Sequence, residues 1–173
     1  MNLWKLFGIE PQARKDDFGS LFAALETLLA GLSEQEVIRI TGFAGLLGKV
    51  AYSDRDISEP ELGAIREILT NETPVSPDLF DRILEVVRHH TVELAGLEDH
   101  RYTRMLNEVL SRDERRSVVK SLLAVAAVSG SISFEEDQTI SLIAKGLRLE
   151  HSEYIELRRT FADLLEVFNT PFS

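Results

Sequence analysis

The residues with the most chemistry in them stand in one short run, Ala51-Tyr52-Ser53-Asp54-Arg55-Asp56-Ile57-Ser58-Glu59-Pro60-Glu61, which sets four acids within eight positions. Asp-x-Asp-x-Ser is how loops that hold hard cations begin, because alternate side chains of a tight turn can aim oxygens at one centre. Asp54, Asp56, Glu59 and Glu61 are therefore candidate ligands for Ca²⁺, Mg²⁺ or Mn²⁺, whose hardness matches carboxylate oxygen. The loop is not an EF-hand, which needs glycine at its sixth position and glutamate at its twelfth, where this chain has Glu59 and Ile65. A second account needs no metal. Ser58 and Glu61 have the S-x-x-E spacing of a capping box, acids suit the positive end of a helix dipole, and Ile57 can staple to Leu62. Capping explains Ser58 and Glu61 but gives Asp54 and Asp56 no role, so both accounts stay open.

Other catalytic patterns are missing from the sequence. His89 and Glu93 are spaced as an i, i+4 metal pair, but two ligands do not make a site, and a polar helix face accounts for His89, His90, His100 and His151 equally well. There is no Gly-x-Ser-x-Gly elbow and no strand to mount one on. Gly42, Gly45 and Gly48 recur every three residues inside a helical stretch, without the preceding strand or the Gly-Lys-Ser/Thr of a phosphate loop. Each helical glycine costs about 0.8–1.0 kcal/mol relative to alanine, so the stripe marks a close helix approach or a groove for another protein's helix. The chain has no cysteine, which excludes disulfides, thiolate metal sites and thiol nucleophiles. With no nucleophile beside a base, the sequence reads as that of a non-enzymatic protein.

The elements that must position these residues are all helices. Apolar residues recur at three and four almost everywhere, and S-x-x-E recurs at Ser33, Ser58, Ser111 and Ser133, with Ser76-Pro77 as a further helix start. These signals predict helices at about 17–31, 34–53, 58–71, 77–95, 98–111, 113–129, 134–147 and 151–168. Val37, Ile40, Ala44, Leu47 and Ala51 make one apolar stripe, and Leu62, Ile65 and Leu69 another. Sliding the chain by 75 residues superposes Leu47, Val50, Ala51, Ile57, Ser58, Glu61, Ile65 and Ile68 on Leu122, Val125, Ala126, Ile132, Ser133, Glu136, Ile140 and Ile143. Eight identities in 22 positions point to an internal duplication, with repeat cores at about 34–71 and 113–147. The expected architecture is all-α, a single compact bundle of seven or eight helices about a pseudo-two-fold axis.

Composition agrees with one such domain over 17–173, preceded by an apolar segment and charged connector at 1–16: the 173 residues are 44% hydrophobic and 28% charged. A net charge of −10 works against nucleic acid or an anionic bilayer as the main partner. No apolar run is long enough to span a membrane, and the opening residues are too quickly followed by charge for a secretory signal, which leaves the cytoplasm as the default. Leu3, Trp4, Leu6 and Phe7 crowd four apolar residues into five positions. A short helix folded back over the bundle is one use for them, and a docking or peripheral membrane anchor is the other.

At the acidic loop and its second copy the chain resembles the TerB-like family of tellurite-resistance domains, which the N-terminal region of DjlA-type co-chaperones also resembles. The residues that carry the resemblance are Leu122-Leu123-Ala124-Val125-Ala126-Ala127-Val128-Ser129-Gly130-Ser131-Ile132-Ser133-Phe134-Glu135-Glu136 and Ile143-Ala144-Lys145-Gly146-Leu147, with likeness over roughly 17–168. It implies an all-α bundle in the cytoplasm or at the inner face of the membrane, with an acidic surface that binds divalent metal. The family's Asp-Gly falls on Asp54-Arg55 in the first copy and on Ser129-Gly130 in the second, and its helix-start glutamates fall on Glu61 and Glu136. The second copy lacks the aspartate, so Glu136 is a weaker ligand candidate than Glu61. The expected role is a stress-associated interaction module for other proteins with a metal-binding acidic loop. A dedicated divalent-cation-binding protein is the alternative, and an enzyme of unknown class comes last.

Overall fold

A computed structural model of the chain describes residues 11–51, 58–73, 75–90 and 100–164, with side chains from residue 19 onward except that of residue 72. The described residues form α1 (Pro11–Leu28), α2 (Glu34–Ala51), α3 (Glu59–Glu72), α4 (Pro77–His89), α5 (His100–Val109), α6 (Arg112–Ala127), α7 (Phe134–Gly146), α8 (His151–Arg159) and a final 3₁₀ turn (Ala162–Leu164). All four S-x-x-E sequences are capping boxes. The carboxylates of Glu36, Glu61, Glu114 and Glu136 accept from the backbone amides of Ser33, Ser58, Ser111 and Ser133 at 2.7–2.8 Å, and each serine hydroxyl accepts from the glutamate's own amide in return. Ser76 caps α4 through the Leu79 amide, with Pro77 at the first helical position.

The ends of several helices differ from expectation. The first begins at Pro11, inside the stretch expected to be a connector, and bends where Gly19 takes φ +79° against the Arg101 side chain of α5. The last stops at Arg159 rather than near 168. The Thr160 hydroxyl donates to the Leu157 carbonyl, and the following turn brings the Leu164 carbonyl to the Ile132 amide at 2.6 Å. That contact ties the end of the described chain to the connection between α6 and α7.

Around α2 the other helices close on every side. It packs against α1, α3, α4, α5, α6 and α7. Its residues from Ile40 to Gly48 are all buried, including Thr41, Gly42, Phe43, Gly45, Leu46 and Gly48 beyond the expected stripe. The glycines make this possible, because the closest neighbour of α2 is α5. A Cβ on Gly42 would lie 2.7 Å from Leu106 Cγ, and one on Gly45 2.8 Å from the Tyr102 ring. The close-approach account of the stripe therefore holds for Gly42 and Gly45: α5 of the same chain occupies that face.

The two helix pairs α2–α3 and α6–α7 meet across the core. α2 lies on α6, α2 also touches α7, and α3 touches α6, a pattern unchanged when the pairs are exchanged. At the far end of α7 the Gly146 carbonyl accepts from Asn107 Nδ2 at 2.8 Å and the Leu147 carbonyl from Arg115 Nη1 at 3.1 Å, so α5 and α6 supply donors to carbonyls the helix end leaves open.

Substituting Gly45→Val should force α5 away from α2. The expected loss is about 2 kcal/mol, or a drop of about 4–8 °C in Tm for a chain of this size. Thermal unfolding followed by circular dichroism measures it, and an unchanged Tm would mean that the contact yields without cost.

Candidate functional site

The start of α3 places part of the acidic loop. Ser58 stands in extended backbone before the helix, its amide and hydroxyl both donate to Glu61 Oε2 at 2.7 Å, and the Glu61 amide donates back to Ser58 Oγ at 3.4 Å. Glu61 is only 3% exposed, whereas its neighbour Glu59 is exposed on the first turn. Asp54 and Asp56 lie outside the described residues, as do Ile57 and the N-terminal Leu3, Trp4, Leu6 and Phe7. The structure thus assigns Glu61 Oε2 to the cap and shows Glu59 facing solvent beside it.

The start of α7 has the same cap. Glu136 accepts from the Ser133 amide at 2.8 Å and is 4% exposed. Before it, 75 residues after Asp54, the Ser129 hydroxyl donates to the Ser131 carbonyl at 3.0 Å, and Gly130 turns the chain at φ +98°, a conformation that side chains with a Cβ resist. This turn is closed by an alcohol and a glycine rather than by acids.

Beside Glu136 sits a polar cluster that the sequence analysis did not single out. Asp137, 7% exposed, accepts from Arg158 through both oxygens, Nε to Oδ1 and Nη2 to Oδ2 at 2.8 Å each, and Oδ1 also accepts from the Tyr154 hydroxyl at 2.7 Å. Burial and the Asp137 carboxylate together push the Tyr154 phenol well above its ordinary value, and the same carboxylate raises Arg158. The missed signal lies in the 75-residue offset: Asp137 stands 75 residues after Leu62, an acid where the offset places an apolar residue. On the solvent side of α8, Glu153 takes Arg112 through Nε at 3.1 Å and Nη2 at 2.9 Å, takes Arg116 at 3.2 Å, and caps the Glu150 amide at 2.8 Å. The Arg112 guanidinium, then the Glu150 amide, hold this carboxyl down at about 2.

A shallow cleft opens between α2, α5 and α6. Phe43, Leu106 and Val118 make its apolar wall, and an Arg39–Glu114 ion pair at 2.8 Å stands on its exposed side. The Glu114 carboxylate already caps Ser111, which with Arg39 keeps it below its usual range. His89 and His90 are engaged locally, their Nδ1 atoms lying 2.9 and 2.8 Å from the carbonyls of Glu85 and Val86. Glu93 is outside the described residues. Among the described residues no three His, Asp or Glu side chains gather closely enough to hold a metal ion, and no helix is long and apolar enough to cross a membrane.

The family model described as tellurite resistance protein TerB matches residues 41–159, from the middle of α2 to the end of α8, well over half of the chain. No curated protein and no solved structure matches.

Two substitutions separate the buried from the exposed ion pairs. Asp137→Ala strips Tyr154 and Arg158 of their shared acceptor, with an expected loss of about 3 kcal/mol, readable as a fall in the urea midpoint; a loss below about 1 kcal/mol would assign the cluster to the surface class. Glu153 has a folded-state pKa below its ordinary value, so its contribution is present above the ordinary carboxylate range and disappears as pH falls toward about 2. The Tm difference between the native chain and Glu153→Gln should therefore shrink steadily between pH 4.5 and about 2; a difference independent of pH would contradict the pairing.

Proposed function

Because the chain belongs to the TerB family of tellurite resistance proteins, we propose that it acts as a non-enzymatic interaction module whose acidic α2–α3 connection takes a divalent cation and offers a negative face to a protein partner. The observation that carries this reading is the division between neighbouring acids at the start of α3. Glu61 is buried in the cap at the start of α3, while Glu59 stays exposed, three residues after Asp56 and five after Asp54 in the sequence. The first ligands are then Asp54, Asp56 and Glu59, with Glu61 fixing the frame and contributing at most its second oxygen. A hard cation suits such a set, and Ca²⁺, Mg²⁺ and Mn²⁺ are the candidates. Glu136, which follows a turn with serine and glycine at 129 and 130, serves its helix cap.

The absence of catalysis is part of the proposal, and the roles of the other acids support it. Glu36, Glu114 and Glu136 cap helices, while Asp137 and Glu153 tie α7 and α6 to α8. Each has a structural task that accounts for its position.

Thermal unfolding of chelator-stripped protein across Ca²⁺, Mg²⁺, Mn²⁺ and Zn²⁺ tests the reading. A cation at about 100 times its Kd adds about 2.7 kcal/mol, or about 5–10 °C in Tm. The shift should vanish in Asp54→Asn while the metal-free Tm stays within about 1 °C of the native chain, as for a surface change. A shift that survives the substitution would move the site elsewhere, and no shift with any cation would leave only the acidic face for partners.

A further inference from the structure

The cleft between α2, α5 and α6 holds polar groups that the packing of the helices does not use. Phe43, Leu106, Leu110 and Val118, all buried, form its apolar wall, and Ser117 and Ser121 stand beside that wall one turn apart on α6. Serine is a poor residue for the interior of a helix, and neither hydroxyl has a partner among the described residues. At the mouth Arg39 and Glu114 pair through Nη1 and Oε1 at 2.8 Å, each side chain 40% exposed. The two partners are not equally spent. Glu114 gives its other oxygen to the Ser111 amide at 2.7 Å, whereas the Arg39 guanidinium places only Nη1 on Glu114 and keeps its remaining N–H donors. An excess of donors at the rim of an apolar cleft suits a ligand that carries an anion on an apolar body.

We infer that this cleft is a binding site for a small carboxylate with a short aliphatic tail, the tail lying on Phe43, Leu106 and Val118 and the head at Arg39 with the Ser117 and Ser121 hydroxyls beside it. Volume sets the tail. The cavity measures about 90 Å³, smaller than the roughly 150 Å³ that accommodates a benzene ring, so a branched tail of about four carbons fills it. Charge sets the head. A planar guanidinium matches a carboxylate and has no acceptor of its own, so an ammonium gains nothing there and a neutral amide gains less. Because Arg39 is partly exposed, its bond to the head is weaker than a buried one, and the tail supplies much of the affinity. The cleft touches Thr73 at the end of α3, whereas the acidic loop meets the start of that helix about 20 Å away along the axis. The inference therefore goes beyond the cation reading and stands or fails without it.

Titrating isovalerate into the full chain with isotope-labelled leucine and valine methyls reads the site through the methyl resonances of Leu106, Leu110 and Val118. The expected result is a saturable shift confined to those methyls. Acetate, which keeps the head without the tail, and isovaleramide, which keeps the shape without the charge, should each bind weaker by about tenfold or more, as for loss of the apolar contact or of a charge-assisted hydrogen bond. Arg39→Gln should weaken isovalerate by about tenfold as well, while Arg66→Gln, which breaks the exposed pair with Asp81 outside the cleft, should leave it unchanged. The combined Ser117→Ala and Ser121→Ala change tests the head independently of the Arg39–Glu114 pair and should weaken isovalerate about threefold to tenfold. A shift that stays linear in isovalerate concentration, equal binding of the amide, or binding indifferent to Arg39→Gln and to the alanines would each overturn the inference.

Discussion

Everything in this bundle is arranged around a helix with no outside. Through its middle α2 is buried on all faces, and six other helices touch it. A buried helix of this kind gives up the usual polar face, and its sequence shows it: from Ile40 to Gly48 the only side chain with a polar group is Thr41, whose hydroxyl has no partner. Surrounding one helix with so many others also limits how large its side chains can be. The backbones of α2 and α5 approach closely only because Gly42 and Gly45 remove a Cβ where Leu106 and Tyr102 arrive. The helix propensity lost at those glycines is returned as packing against two of the most deeply buried side chains of the core.

That constraint explains why polar groups matter mainly at helix ends. With the middle of the bundle closed to water, each helix must satisfy its open amides and carbonyls locally. Four serine–glutamate boxes do this at the starts, and Asn107 and Arg115 reach the carbonyls at the end of α7. Where a cap glutamate is itself buried, as with Glu61 and Glu136, the reciprocal bonds satisfy a carboxylate that would otherwise be costly to desolvate. These residues fix where the helices begin.

The helical class and the serine-capped helix starts were legible in the sequence because they depend on local signals: periodicity, S-x-x-E spacing, and proline after serine. Depth was not. A periodicity argument assigns α2 one apolar stripe, and its burial on all sides depends on helices far away in the chain; the glycine spacing was the one local trace of it. The end of α8 was illegible for a related reason, since Phe161, Leu164, Leu165 and Phe168 continue a helical pattern that the turn onto Ile132 interrupts. In the candidate site, spacing found the cap at Glu61 and the exposed Glu59. It did not find Asp137, whose partners Tyr154 and Arg158 are 17 and 21 residues away. Asp54 and Asp56 lie outside the described residues.

The two turns therefore divide what a family likeness can and cannot say. The 75-residue offset pairs Ser58 with Ser133 and Glu61 with Glu136, and those pairs make the same bonds. It also pairs Asp54 with Ser129, Glu59 with Phe134 and Leu62 with Asp137, and there the chemistry is replaced outright. The shared residues are the ones the backbone needs to start a helix, so they persist for structural reasons and identify the fold. The replaced ones are free of that duty, and Asp137 takes up another, an ion pair with Arg158 of α8. What distinguishes one surface of this bundle from the other thus lies in the exchange of Glu59 for Phe134, one turn facing solvent with a carboxylate and its counterpart with an aromatic ring. A motif that matches only the caps cannot see that difference.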